Sequence, residues 1–172
     1  MNFTKFLKEE WVQALGCTEP ASIAFAGMTA AKHLKGEPSS IKLIVDPKIY
    51  KNCYAVGIPH SGHKTGLAWA AAIGALLKNH DDGLICFRGI DDEILKNAAA
   101  LIKSNSIKIK IDRKKKDLHI DFTVFSKNGK SARAIIEKTH TNLTSVHSSG
   151  KQVFSGRPVK GKISNTGARK WA

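Results

Sequence analysis

Residues 107–125, IKIKIDRKKKDLHIDFTVF, decide the fold class of this chain. Isoleucines alternate with lysines over 107–111, and apolar residues alternate with polar ones from Leu118 to Val124. A period of two is typical of strands that bury one face of a sheet. The basic run 113–116 separates the two segments, so we interpret it as a solvated turn between strands.

The segment that follows extends the same pattern. SKNGK at 126–130 has the composition of a hairpin turn, and it leads into SARAIIEKTHTNLTSV at 131–146. Together with the preceding strands, this predicts an antiparallel β-meander with one buried face.

The first hundred residues favour helices instead. Apolar residues recur at helical spacing over 2–14, and a second helix is predicted from an N-cap at Thr18 to about Leu34. A strand is expected at 41–45, and two more helices, at 67–79 and after a cap at Asp91, complete this part. The first of these helices follows a glycine-rich loop, and the second begins with acidic residues.

The predicted fold class is therefore α+β, with N-terminal helices packed with an antiparallel β-meander. We expect one domain over residues 1–155. Residues 156–172 are basic and lack an amphipathic period, which predicts a disordered tail.

Composition bounds the class of protein. The chain has 172 residues, 42% of them hydrophobic, which is enough for a core. It contains no apolar run of about 18 residues, and its first residues lack the apolar region of a signal peptide. The expectation is a cytoplasmic protein without a membrane span. Its three cysteines are then reduced thiols rather than a disulfide framework.

The net charge of +14 permits attraction to anionic partners. One hypothesis is therefore a non-enzymatic basic module that binds anionic polymers. No aromatic residues interleave with the run 113–116 as base-stacking platforms would, so nucleic acid is not the favoured polymer.

Cys17 is the first candidate for chemistry. It directly precedes the second predicted helix, where free backbone N–H groups and the helix dipole lower the pKa of a thiol and favour the thiolate. A structural cysteine is the alternative, and the residues alone leave both open. Cys53 and Cys86 show no CxxC or Cys/His zinc spacing with it.

The loop GIPHSGHKTG at 57–66 is the second candidate. Its glycines let backbone N–H groups approach a ligand, but His63 interrupts the spacing of a nucleotide-binding P-loop. A turn that binds a small anion or carboxylate and an ordinary helix entry both remain open. KTHTN at 138–142 is similarly either a surface turn or the lip of a site.

Three stretches suggest a family: ALGCTEPASIAFA at 14–26, YKNCYAVGIPHSGHKTGLAWAAAIGAL at 50–76, and THTN at 139–142. They resemble the serine dehydratase alpha-like family, and most of all its L-cysteine desulfidase branch, which is also carried as an uncharacterised protein family. The resemblance runs from about residue 9 to about residue 154.

The resemblance implies an oxygen-sensitive lyase with a [4Fe-4S] cluster, of which Cys17 is a ligand. The other two ligands would lie in a C-terminal half that this chain lacks. The implied reaction is β-elimination of L-cysteine to pyruvate, ammonia and sulfide, or dehydration of L-serine. The catalytic base is not identified. The residues expected to bind the substrate are Asn52, Ser61, Lys64, Thr141 and Asn142.

On this interpretation the chain is a truncated or frameshifted fragment, inactive alone. Its expected partners are L-cysteine or L-serine, the missing half in trans and a second copy in a homodimer. A pyridoxal-phosphate lyase that uses Lys64 is a further alternative, but no phosphate-cup pattern accompanies that lysine.

Overall fold

The computed structural model describes Thr4, residues 13–78 and residues 82–156. The helix predicted over residues 2–14 and the tail predicted over residues 156–172 lie almost wholly outside the described residues.

The first part of the chain contains the helices and one strand, and the second part contains five strands that follow one another. The helices are α1 (Thr18–Lys32), α2 (Pro47–Cys53), α3 (Gly66–Leu76), the 3₁₀ helix η1 (Gly83–Gly89) and α4 (Asp92–Lys103). The strands are β1 (Pro38–Val45), β2 (Ile107–Ile111), β3 (His119–Ser126), β4 (Ser131–Glu137), β5 (Leu143–Ser148) and β6 (Lys151–Ser155).

The strands form one six-stranded sheet in the order β2-β1-β3-β4-β5-β6. The predicted α+β class and the antiparallel meander are confirmed by β3 to β6. The expected pairing of β2 with β3 is wrong, because β1 lies between them, parallel to β2 and antiparallel to β3. Ile41, Leu43 and Val45 of β1 are buried, whereas the lysines of β2 suit an edge strand.

One face of the sheet carries the helices and the core. Alternate side chains of β3 and β4 are buried on this face, with Phe122 and Ile136 among them. Helix α1 packs on β3 and β4, and α3 packs beside it. The two helices approach so closely that a Cβ added at Gly74 would lie 2.5 Å from the Cα of Ala24.

The opposite face of the sheet carries charged side chains. Arg133 donates two hydrogen bonds of 2.7 Å to the carboxylate of Asp121, which lies diagonally opposite it on β3. The predicted turn of the basic run follows β2, where Asp112 accepts from the backbone N–H of Lys114, and Lys115 pairs with Glu137 at 3.1 Å.

Local signals at several element ends are confirmed. Asp91 caps α4 by accepting from Ile94 N, and the hairpin turn closes where Ser126 N donates to Lys130 O. The N-cap of α1 is Cys17, so the expected cap at Thr18 is one residue too late. Helix α2 was not predicted, although Asp46 caps it through its side chain.

No helix within the described ranges combines the length and the apolar character needed to cross a membrane.

Candidate functional site

Three segments bring polar side chains together at the start of α1. We call the cluster of Cys17, Thr18, Glu19, Asn52 and His140 the Cys17 corner. The first three residues begin α1, Asn52 lies in the last turn of α2, and His140 lies between β4 and β5.

Two glycines allow the loop 57–65 to approach this corner. Gly16 has a φ of +79°, and a Cβ there would lie 2.6 Å from Cγ of Pro59. Gly66 has a φ of +87°, and a Cβ there would lie 2.8 Å from the carbonyl oxygen of Tyr54. Any other residue would strain the backbone and displace its neighbour, so the two glycines position the loop beside Cys17.

The carboxylate of Glu19 is the centre of the corner. Its Oε2 accepts from Cys17 Sγ at 2.8 Å and from Thr18 Oγ1 at 3.2 Å, and its Oε1 accepts from Asn52 Nδ2 at 3.0 Å. Partial burial acts to raise the pKa of Glu19, but the hydrogen bonds from Cys17 and Asn52 outweigh it and lower the pKa below its usual value. Glu19 is therefore charged at neutral pH.

The thiol of Cys17 behaves contrary to the expectation from its position. Burial raises its pKa, and its hydrogen bond to Glu19 raises it further, while contacts with backbone N–H groups of Thr18 and Glu19 lower it less. The helix start, which by itself favours the thiolate, is outweighed, because burial and the adjacent carboxylate both favour the protonated form. At neutral pH the corner contains a neutral thiol beside a charged carboxylate.

His140 joins the corner from the sheet. Its Nε2 lies 3.4 Å from Thr18 Oγ1, and its backbone carbonyl accepts a 2.6 Å hydrogen bond from Ser22 Oγ. Because the Thr18 hydroxyl donates to Glu19, the imidazole nitrogen is the donor in this contact. The segment KTHTN therefore borders the Cys17 corner, although its spacing in the sequence could not place it there.

Among the residues expected to bind a substrate, only Asn52 makes a contact within the corner. Ser61 is buried and holds the loop together: its hydroxyl donates to Ile58 O at 2.6 Å and accepts from Lys64 N at 3.1 Å. The Lys64 ammonium lies 5.0 Å from the centre of the Trp69 ring, a cation–π contact. Ser61 and Lys64 therefore order the entry to α3.

Thr141 and Asn142 belong to the turn between β4 and β5. The side-chain amide of Asn142 donates to Glu137 O at 2.8 Å, and Thr141 O accepts from Leu143 N at 2.9 Å. These contacts shape the turn that carries His140. Substrate binding by these residues stays a prediction.

The environment of Cys17, which is partly buried, differs from that of the other two cysteines. Cys53 and Cys86 are buried, and burial raises the pKa of each thiol to about 12. Across the described ranges, no three His, Cys, Asp or Glu side chains are grouped so that they could hold a metal ion. A [4Fe-4S] cluster therefore does not fit these residues by themselves, and ligation by Cys17 stays a prediction.

Comparison with known proteins finds relatives named UPF0597 proteins. The chain is 35% identical over 145 residues to one from Geobacter sulfurreducens, covering 84% of the chain and 34% of that protein. It is 38% identical over 142 residues to one from Clostridium perfringens, covering 83% and 33%, and 36% identical over 162 residues to one from Desulfotalea psychrophila, covering 94% and 37%. No protein-family model matches the chain.

These relatives correct the family and the function expected from the sequence. Their names are not those of the serine dehydratase alpha-like family, and none mentions a lyase, an L-cysteine desulfidase or an iron–sulfur centre. The chain spans about a third of the length of these UPF0597 proteins and is similar to them over most of its own.

Proposed function

We propose that the Cys17 corner binds a small amino acid, L-cysteine or L-serine, through the ligand's ammonium group. The observation that carries this proposal is the carboxylate of Glu19, which two separate helices orient through Cys17, Thr18 and Asn52.

The ammonium group suits Glu19 by charge and by hydrogen-bond geometry. A carboxylate has about four acceptor positions, and three donors occupy positions on Glu19. The lowered pKa keeps the group charged at neutral pH. Its partial burial strengthens attraction to a cation compared with bulk water.

The neighbouring amide suits the other end of the same ligand. Asn52 donates one N–H to Glu19, and the second N–H of its exposed side chain is free by valence to donate to a carboxylate. An acceptor next to a donor matches an ammonium and a carboxylate that share one α-carbon. The Cys17 thiol and the His140 imidazole lie in the same corner, where they would form hydrogen bonds with a ligand thiol or hydroxyl.

The proposal is tested by isothermal titration of the 172-residue chain with L-serine and L-cysteine. L-Lactate, which has a hydroxyl in place of the ammonium, is the ligand control. Glu19→Gln should weaken binding about tenfold or more, since a hydrogen bond between charged groups is worth about 1.5–3 kcal/mol. The matched control is Glu93→Gln, in the exposed first turn of α4.

Binding of L-serine that is unchanged in Glu19→Gln, or equal binding of L-lactate, would contradict the role of Glu19. The location of the site is tested by an NMR titration with L-serine. Chemical-shift changes confined to residues away from α1 and α2 would contradict binding at the Cys17 corner.

A further inference from the structure

An open groove lies on the side of the molecule formed by the edge strand β2. It has a volume of about 720 Å³ and runs between β2 and the start of α3. Two large apolar side chains that are exposed, Tyr54 (67%) and Ile109 (36%), line it. Exposed apolar side chains that cluster in one concave surface mark an interaction site more often than scattered ones do.

The backbone of β2 presents hydrogen-bonding groups beside this groove. Within the described ranges β2 pairs with β1 only. Ile41 N donates to Ser106 O at 2.9 Å, and Asp112 N donates to Val45 O at 2.8 Å. Because parallel strands bond through alternate residues, the intervening Ile107, Ile109 and Ile111 direct their N–H and C=O groups to the open side.

The charges around the groove have one sign. Lys110 and Arg113 line it, and none of its lining residues is an aspartate or a glutamate. Neither cation forms an ion pair with another residue of the described chain. The N-cap Thr65 makes no side-chain hydrogen bond to the start of α3, so the positive end of that helix adds to the same field.

We propose that this groove docks an extended, acidic polypeptide segment, which adds to the sheet as a strand beside β2. An added strand alternates its side chains between the two faces. On the helix side, its apolar residues would pack against Tyr54, Leu67 and Ile109. On the other side, its acidic residues would face Lys108 and Lys110, which project there together with Lys42 of β1.

The register of the sheet supports this division of faces. Leu43, the cross-strand partner of Ile109, is buried in the core, whereas Lys42, the partner of Lys108, is exposed. Apolar contact and charge attraction are therefore available on opposite faces of the same strand. A segment that alternates acidic and apolar residues makes the apolar contact and the charge attraction together. A segment that alternates basic and apolar residues makes only the apolar contact.

The test uses the 172-residue chain and a fluorescein-labelled peptide of four Glu-Val repeats, followed by fluorescence anisotropy. A peptide of four Lys-Val repeats is the control. The acidic peptide should bind at least tenfold more tightly than the basic one. It should also slow hydrogen exchange at the amides of Ile107, Ile109 and Ile111, since these N–H groups would form the new ladder.

Two variants separate the charge from the backbone. Lys108→Glu with Lys110→Glu should weaken binding of the acidic peptide at least tenfold. The matched double variant Lys127→Glu with Lys130→Glu, in the exposed β3–β4 hairpin, changes the net charge equally and should bind as the native chain does. Ile109→Pro removes an outward N–H and no bond to β1, and it should also abolish binding.

Three results would overturn the proposal. They are equal affinity for the two peptides, equal loss in the hairpin control variant, and binding without protection of the β2 amides. Binding of an oligothymidylate at the same amides, with no binding of the acidic peptide, would assign the groove to a nucleic acid instead. If Ile109→Pro unfolds by circular dichroism, the lysine variant and the amide protection decide alone.

Discussion

The two parts of α1 differ in what holds them in place. Its middle packs against α3 and β3 through small and apolar side chains that are fully buried. Its first turn belongs to the Cys17 corner, where half-buried polar groups are joined by hydrogen bonds. The comparison teaches that one helix can have a closely packed middle and an end whose polar groups are only partly buried.

The middle of α1 depends on shape. At Gly27 an added Cβ would lie 2.9 Å from the ring of Phe122, and at Gly74 of α3 it would lie 2.5 Å from Ala24 Cα. The ring can shift slightly, but the backbone of Ala24 cannot move without displacing α1. Close-packed interiors tolerate such insertions poorly.

The corner depends on hydrogen bonds whose members are partly solvated. Each such bond contributes about 0.5–1.5 kcal/mol to stability. Single substitutions in the Cys17 corner should therefore change the free energy of unfolding little, and change ligand binding and thiol reactivity more.

The largest effect is expected in the middle. Gly74→Ala should lower the free energy of unfolding by about 3 kcal/mol, because the new Cβ overlaps the backbone of Ala24. Urea unfolding measures this. Gly57→Ala is the control, since a Cβ at Gly57 meets nothing within 4 Å. Equal stability of the two variants would show that the helices have more slack than the structure indicates.

The next effect lies where the two regions meet. Ser22 is fully buried, and its hydroxyl donates to His140 O at 2.6 Å. Ser22→Ala should lower the free energy of unfolding by about 1.5 kcal/mol, because the carbonyl loses its partner. Amide exchange over residues 139–142 should also quicken. Unchanged amide exchange over these residues would show that the order of the turn does not depend on its hydrogen bond to α1.

A smaller effect is expected from Glu19→Gln, about 0.5 kcal/mol at pH 7, because solvent screens a half-exposed carboxylate. The folded pKa of Glu19 is below its ordinary value of 4.5. Its contribution is thus complete above the unfolded pKa and disappears as the pH falls through the folded pKa. The stability difference between native chain and variant should shrink from pH 6 to pH 3. A stability difference that grows as the pH falls would contradict the lowered pKa of Glu19.

The smallest expected effect on the structure accompanies a change in the reactivity of the Cys17 thiol. Native chain should react with iodoacetamide at Cys17 alone, and slowly at pH 7, because burial and Glu19 raise the pKa of that thiol and the other two are buried. Glu19→Gln should lower the pH at which alkylation becomes fast, since the charged acceptor is removed. Mass spectrometry counts the labelled cysteines. Rapid labelling of Cys53 in the native chain would contradict its burial.

Local signals predicted much of the framework. The alternation in β3, the hairpin turn at 126–130 and the cap at Asp91 each depend on neighbours in sequence, and each is confirmed. The place of β1 between β2 and β3 was missed, because alternation identifies a strand with one buried face and not the strand beside it.

The candidate site was less accessible to such reasoning. Cys17 and Asn52 were named from the sequence, and they do meet through Glu19. Thr18 was predicted only as a helix cap, and no local pattern identified Glu19 as the centre of the corner or placed His140 beside it. The direction of the pKa shift at Cys17 also could not be predicted, since the geometry of one side-chain contact outweighs the helix end.

By itself, the sequence determined the fold class, the turns and most of the element starts, because these depend on periodicity and on backbone preferences of adjacent residues. Only the tertiary structure decided the strand order, the composition of the Cys17 corner and the protonation of its thiol. Those features arise from groups up to 122 residues apart in the chain, whose distances and burial exist only after the core has formed.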